Sequence, residues 1–310
     1  MTKKDTILLI VNPIAGRGKA LKSVKRIEND FKTLNIKHDI VLTERVWHAA
    51  ELAEEAAKKG YKAVVVASGD GTANEVLNGL MLARKKGYNK TAMGQIPVGT
   101  GNDFAYGMGL PNDIDECIKI ISDFNIRKID VGFIKGGDYP EGRYFGNGIG
   151  IGFDATTGFV ASRIRFLSGM MVYLVAALQT IFIYYKAPRI RMTYNSKETI
   201  MEALQVSIMN GKRMGGGFHF APDGSPFDGL LDLCMVRSMN QFKIFGMIPY
   251  FIRGTQAKRK EVMQDRTTKI EVVAEKGVLP VHCDGETICY SGKELFIQLF
   301  PAALDFITKV

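Results

Sequence analysis

Apolar residues in the first half of the chain fall into short solid runs separated by segments of helical periodicity. Ile7 to Val11 is one run; Ala20, Val24, Ile27, Phe31 and Leu34 then recur at helical spacing before Ile40 to Leu42. The alternation continues with a helix from about His48 to Lys59, the run Ala63 to Ala67, a helix from about Ala73 to Lys85 and a strand near Met93 to Pro97. This βαβ order predicts a parallel sheet flanked by helices. After the Pro111-Asn112-Asp113 turn and one further helix ending near Phe124, the period drops to two. Ile129, Val131 and Phe133, then Ile190, Met192 and Tyr194, and later Leu295, Ile297 and Leu299 predict a mainly β second domain. The expected organisation is an α/β domain over 1–126, a β domain over 127–299, and a closing segment, 300–310, that packs back on the first domain.

One segment breaks the pattern. Phe166 to Tyr185 carries no charge between Arg165 and Lys186, a length compatible with roughly one membrane span. Ser168, Val172, Ala176, Gln179 and Thr180 form a smaller, more polar stripe at helical spacing, which favours a docked amphipathic helix over a spanning one.

Composition adds a broad class. Hydrophobic residues make up 46% and charged residues 24% of the 310 residues, ordinary values for a compact enzyme or binding protein. The net charge of +9 favours an anionic partner. Nucleic acid is not expected, because no basic run is interleaved with aromatics and no zinc-finger spacing occurs. Cys117, Cys234, Cys283 and Cys289 lack C-x-x-C pairing, the N-terminus shows no signal peptide, and the four histidines have no metal-ligand spacing. A cytoplasmic protein is expected.

Three glycine-rich turns follow predicted strands: Asn12-Pro13-Ile14-Ala15-Gly16-Arg17-Gly18, Ser68-Gly69-Asp70-Gly71-Thr72-Ala73-Asn74-Glu75, and Pro97-Val98-Gly99-Thr100-Gly101-Asn102-Asp103. One such turn alone reads best as a tight strand-to-helix connection. Three at the carboxyl ends of one parallel sheet converge on a crevice, where glycines let backbone N–H groups approach phosphate oxygens. Asp70, an acid among phosphates, points to Mg²⁺ or to a positioned hydroxyl, and so to phosphoryl transfer. No Walker A sequence is present. Gly146 to Gly152 places glycine at every second position, which clears one strand face for close packing or a ligand. In the second half, Asp284-Gly285 is a common turn pair, yet in an extended segment Asp284 and Glu286 would point to the same side and could supply a base with its helper.

Together these motifs, with Asp228-Gly229-x-Leu231-Asp232 and Asp284-Gly285-Glu286, resemble the soluble bacterial diacylglycerol kinase family over nearly the whole chain, in the family's order. The resemblance implies an N-terminal nucleotide domain like that of phosphofructokinases and NAD kinases, a C-terminal β-sandwich, and an active site in the cleft between them. It implies ATP contacts at Asn12, Pro13, Ile14, Ala15, Gly16, Thr43, Gly69, Asp70, Gly71, Thr72, Ala73, Asn74, Glu75 and Thr100. The proton acceptor is expected at Glu286 or Asp284, with Asp70 organising Mg²⁺ and phosphate. A structural Mg²⁺ is expected at Ser225, Asp228 and the Leu230 carbonyl. Two positions depart from the pattern: Ser68 replaces a commoner glycine, and Ser225 stands where a carboxylate would bind a metal better.

The expected activity is transfer of the ATP γ-phosphoryl group to diacylglycerol or a related lipid alcohol, by a protein peripheral to the inner face of an anionic membrane. The alternatives are an NAD kinase-like phosphotransferase, which shares the Gly-Asp-Gly-Thr turn, and a non-catalytic nucleotide or lipid sensor. A homodimer is an open option.

Overall fold

The computed structural model of the chain describes residues 3–164, 170–184 and 187–309. It divides into two compact units, Met1–Ile129 with Ala302–Val310, and Asp130–Pro301.

The first unit contains β1 (Ile7–Val11), α1 (Ala15–Thr33), β2 (His38–Leu42), α2 (His48–Lys59), β3 (Ala63–Ser68), α3 (Asp70–Lys85), β4 (Ala92–Pro97), α4 (Asp103–Gly107) and α5 (Ile114–Asp123). The strands pair in parallel in the order β4-β3-β1-β2. β1, β3 and β4 are buried throughout, as expected of strands covered on both faces by helices. α1 buries Ala20, Ser23, Ile27 and Phe31, whereas Leu34 lies past its end and is exposed. α3 begins at Asp70, earlier than the expected Ala73. Gly69 is its extended N-cap, and Asp70 places a carboxylate in the first turn, where the helix end favours negative charge. Near the C-terminus, Phe306 pairs in parallel with Met93, and the Asp305 carboxylate accepts from Arg84 at 2.9 Å.

The second unit is antiparallel. Its elements are β5 (Ile126–Gly136, entering from the first unit), β6 (Tyr139–Phe145), β7 (Gly148–Gly152), α6 (Phe153–Ala161), α7 (Met170–Gln179), a π-helical turn (Thr180–Tyr184), β8 (Arg189–Tyr194), β9 (Lys197–Met209), β10 (Leu231–Arg237), α8 (Gln241–Arg253), β11 (Val262–Thr267), β12 (Lys269–Lys276), β13 (Leu279–Cys283), β14 (Glu286–Gly292) and β15 (Glu294–Ile307). The long β9 serves two sets of neighbours. Residues 197–202 pair with β8, and the remainder pairs with β7 and β10. The period-2 positions fill the core: Ile190, Met192 and Tyr194 meet Ile270, Val272, Leu295, Ile297 and Leu299.

Part of the apolar 166–185 segment, including Ser168, lies outside the described residues. In the remainder, Ala176 and Thr180 are fully buried, Val172 packs beside Ala176, and Gln179 is exposed. No helix among the described residues is long and apolar enough to cross a membrane.

Candidate active site

The first unit has a topological switch point. β2 lies on one side of β1 and β3 on the other, and the carboxyl edge at such a point is where open parallel sheets bind ligands. Three glycine-rich turns lock together there. Asn12 donates through Nδ2 to Thr72 Oγ1 at 2.9 Å, while its Oδ1 accepts from the Ile14 amide at 3.2 Å. Gly16, Arg17 and Gly18 are all left-handed, with φ of 57°, 59° and 83°. Gly16 also sits on the third turn, since an added Cβ would lie 2.0 Å from the Val98 carbonyl oxygen. The second and third turns touch backbone to backbone: a Cβ on Gly99 would lie 2.4 Å from Gly69 Cα. Asn102 closes the third turn through bonds of 3.0 and 3.2 Å to the Gly99 amide and carbonyl. Asp70 ties the second turn to the third, its Oδ1 accepting from the Phe104 amide at 3.0 Å.

The residues expected to contact a nucleotide divide by burial. Ile14 and Thr100 are exposed, and Asn12, Pro13, Ala15, Gly16, Gly69, Asp70 and Gly71 are half-buried. Thr43, Thr72, Ala73, Asn74 and Glu75 are buried. Glu75 Oε2 accepts from the Ala49 amide at the start of α2 at 3.2 Å, and Asn74 Oδ1 accepts from Asn78 at 3.0 Å. These polar side chains hold the rim from behind; the backbone and the half-buried set present its surface.

In the second unit, Asp284 and Glu286 do not share one extended segment. Cys283 and Glu286 face each other across a two-residue hairpin turn whose members, Asp284 and Gly285, have φ of 47° and 83°. The turn folds the Asp284 carboxylate inward. Its Oδ2 accepts from the Gly146 amide at 2.7 Å, and its Oδ1 accepts from the Asn147 and Gly148 amides at 3.0 and 2.8 Å. Glu286 is differently placed: its side chain is 32% exposed, and its Oε2 accepts from Arg143 Nη2 at 2.6 Å. Arg143 is only 1% exposed and also donates to the Tyr139 hydroxyl at 3.2 Å. Sequence reasoning passed over Arg143, although its position shares a strand face with the core residue Phe145, and a charge facing inward signals a buried partner.

A second pair was also missed. His282 Nε2 lies 3.1 Å from Asp154 Oδ2, and His282 Nδ1 is buried without a hydrogen-bond partner among the described residues. The pair fills the space that Gly150 leaves, since a Cβ there would lie 2.2 Å from Asp154 Oδ2 and 2.3 Å from His282 Nε2. The alternating glycines thus serve close packing at this point. All four cysteines are free and buried. Burial pushes the thiols of Cys117 and Cys234 up to about 12 and raises those of Cys283 and Cys289, so none is poised as a nucleophile.

At the Asp228 turn, Asp228 Oδ1 accepts from the Leu230 amide at 3.1 Å and its Oδ2 lies 3.8 Å from Arg266. Arg266 Nε donates to Asp232 Oδ1 at 2.8 Å, while Asp232 Oδ2 is buried without a hydrogen-bond partner among the described residues. A hydroxyl, one carboxylate and a backbone carbonyl are oxygen donors of the kind a hard cation accepts. Asp232 already pairs with Arg266, and burial raises its carboxyl above the ordinary value, so it adds little charge to the turn. Arg266 already supplies a positive charge, so the donor set suits a weak site. No cluster of three or more acidic, histidine or cysteine ligands occurs among the described residues.

Residues 6–134 match the family model for the diacylglycerol kinase catalytic domain, and residues 147–308 match that for the YegS C-terminal NAD kinase β-sandwich-like domain. The chain is 28% identical to a diacylglycerol kinase of Mycobacterium tuberculosis (strain ATCC 25618 / H37Rv), over 97% of this chain and 94% of that protein. It is 30% identical to a Chromohalobacter salexigens protein named "Probable lipid kinase YegS-like", over 82% of this chain and 78% of that one. Among solved structures, a crystal structure provisionally assigned as a diacylglycerol kinase from Bacillus anthracis str. Sterne superposes with a TM-score of 0.80 at 25% identity, covering 100% of this chain and 97% of that one. With the glycine-lined parallel edge in one unit, the acid turn in an antiparallel second unit, and matches that run almost from end to end, the chain belongs to the bacterial diacylglycerol and lipid kinase family.

Proposed function

We propose that the protein is an ATP-dependent lipid kinase that transfers the γ-phosphoryl group to the hydroxyl of diacylglycerol or a closely related lipid alcohol, giving phosphatidic acid or the equivalent lipid phosphate. The carrying observation is the interlocking of three glycine-rich turns at the switch point of a parallel sheet, in a chain of this family. Backbone amides of the Ala15 to Gly18 turn and the N-terminal end of α3 bind the phosphates. Asp70 keeps the second and third turns in register.

Glu286 accepts the proton of the acceptor hydroxyl as that oxygen attacks the γ-phosphorus and the bond to the β-phosphate oxygen breaks. It is the partly exposed acid beside the turn, and the buried Arg143 guanidinium orients it. Asp284 fixes the hairpin that carries it. Bound Mg²⁺ would screen the phosphate charge during transfer. A second, structural ion would be held weakly by Ser225, Asp228 and the Leu230 carbonyl. The protein acts from the cytoplasm on a lipid drawn from the inner face of the membrane, a setting that suits its +9 charge.

The test is γ-labelled ATP with diacylglycerol, ceramide, a sphingoid base and NAD as parallel acceptors, each with Mg²⁺ and with chelator. Label in phosphatidic acid, lost with chelator, is the expected result. Label on NAD, or on none of the acceptors, overturns the proposal.

A further inference from the structure

α8 turns an apolar face to solvent. Its inner side, Ile244, Met247 and Phe251, packs in a buried cluster with Ile181. On the outer side Phe242 is 84% exposed and Phe245 is 54% exposed, with Gly246 and Pro249 exposed beside them at helical spacing. An exposed helix face normally carries several charges of both signs; before Arg253 in its last turn, α8 carries only Lys243, beside Phe242. The π-helical turn that packs against α8 adds Phe182, itself 59% exposed. Adjacent exposed aromatics of this kind mark an interaction surface.

Charge identifies the occupant. From Arg237 to Lys260 the sequence holds six cations, Arg237, Lys243, Arg253, Lys258, Arg259 and Lys260, and no Asp or Glu. Lys243, Arg253, Lys258 and Lys260 are exposed, and the short 3₁₀ turn Gln256–Lys258 packs against α8. Aromatic side chains on an outward helix face with basic residues around them match the requirements of an interfacial helix on an anionic bilayer. The rings enter the acyl boundary and the lysines stay at the headgroups.

We propose that α8, with its flanking Lys258 to Lys260 segment, is the surface by which the protein docks on anionic membranes. This rests on the lipid-kinase reading for its purpose, and it centres the docking role on α8, with Phe182 of the 180–184 turn beside it.

The experiment uses full-length protein and sedimentation with large unilamellar vesicles of phosphatidylcholine, alone or mixed with phosphatidylglycerol. Wild type should partition to the anionic vesicles, and added salt should weaken the binding. The double variant Phe242→Ser/Phe245→Ser should lose partitioning by about tenfold or more, yet keep its rate on dispersed short-chain diacylglycerol and its circular dichroism spectrum. Lys258→Ser/Lys260→Ser should lose the preference for anionic over neutral vesicles. Wild-type binding that the phenylalanine variant leaves unchanged overturns the assignment. So does a wild type that ignores vesicles and instead forms a dimer that the variant abolishes, because the occupant is then a second copy. Vesicle binding without any phosphorylation of the short-chain lipid would overturn the kinase reading and leave the docking surface standing.

Discussion

Asp70 in the first unit and Asp284 in the second both precede a glycine, and both direct a carboxylate oxygen at backbone amides of another loop. Asp70 accepts from Phe104, and Asp284 accepts from Gly146, Asn147 and Gly148. Glu75 does the same for Ala49. Glu286 differs: it accepts from a cation, Arg143, and a third of its side chain is open to solvent. In the first unit, therefore, the acids assemble a surface made largely of backbone. In the second, one acid holds a hairpin and its neighbour across the turn is left for chemistry. Backbone-built rims suit an anion, because N–H groups donate to it without titrating; a proton acceptor has to be a reachable side chain.

The sharpest way to break this contrast is to neutralise the two acids of the hairpin separately. Glu286→Gln should lower kcat by about 10²- to 10⁴-fold with the KM for ATP nearly unchanged, and thermal stability should also fall, because the amide still accepts from Arg143 but no longer balances its buried charge. Asp284→Asn turns an NH₂ toward at least one of the three amides, at about 1–3 kcal/mol per orphaned donor. A clear fall in Tm should accompany any loss of turnover. Paired kinetics and thermal melts decide between the roles. Normal melting with lost turnover in Asp284→Asn, together with an active Glu286→Gln, would reverse them.

A second contrast tests the rim of the first unit. Gly16 and Gly18 are both left-handed, but Gly16 sits on the Val98 carbonyl whereas nothing lies within 4 Å of a Cβ at Gly18. Gly18→Ala should cost only the left-handed backbone penalty, about 1–2 kcal/mol. Gly16→Ala adds the overpacking penalty, for about 2–5 kcal/mol together, and should also weaken ATP binding as the first and third turns separate. Chemical denaturation and nucleotide titration read the two effects. Equal costs at the two positions would mean that the turns do not depend on their contact.

The sheet of the first unit and the alternating strands of the second were legible because burial enforces their periods: two-sided burial gives the solid run Ala63 to Ala67, and one-sided burial gives Ile190, Met192 and Tyr194. The glycine turns were legible as a set for the same reason, since their strands are parallel and end on one edge. The hairpin was legible only in part. Asp284-Gly285 reads as a turn pair, but placing Asp284 and Glu286 on one side of an extended segment does not carry that through: Asp-Gly between β residues favours a two-residue turn with both φ positive. The partnerships of Arg143 with Glu286 and of Asp154 with His282 join residues more than 100 positions apart. Local pattern says nothing about such pairs. The start of α3 at Asp70 was missed because two glycines flank the acid, and glycine lowers helix propensity unless a helix end is recognised there.

The smallest effect extends the contrast to the edge of the first unit's sheet. Asp39 on β2 is another acid used as an acceptor: Lys3 Nζ donates to it at 2.8 Å and the Tyr61 hydroxyl at 2.6 Å. The bond from Lys3, then that from Tyr61, lowers its carboxyl below the ordinary value. Its stabilisation is present above the unfolded pKa and is lost as pH falls through the folded one. Tyr61 moves the other way. Burial first, and then Asp39, pushes the phenol up to about 12 from 10.0, so its contribution is complete below pH 10 and is lost as the pH rises from 10 through about 12. Tyr61→Phe should therefore cost about 0.5–1.5 kcal/mol at neutral pH. The gap to wild type in pH-dependent melts should close as the pH climbs through that window, and a gap that stays constant would mean the ring, not the hydroxyl, holds this edge.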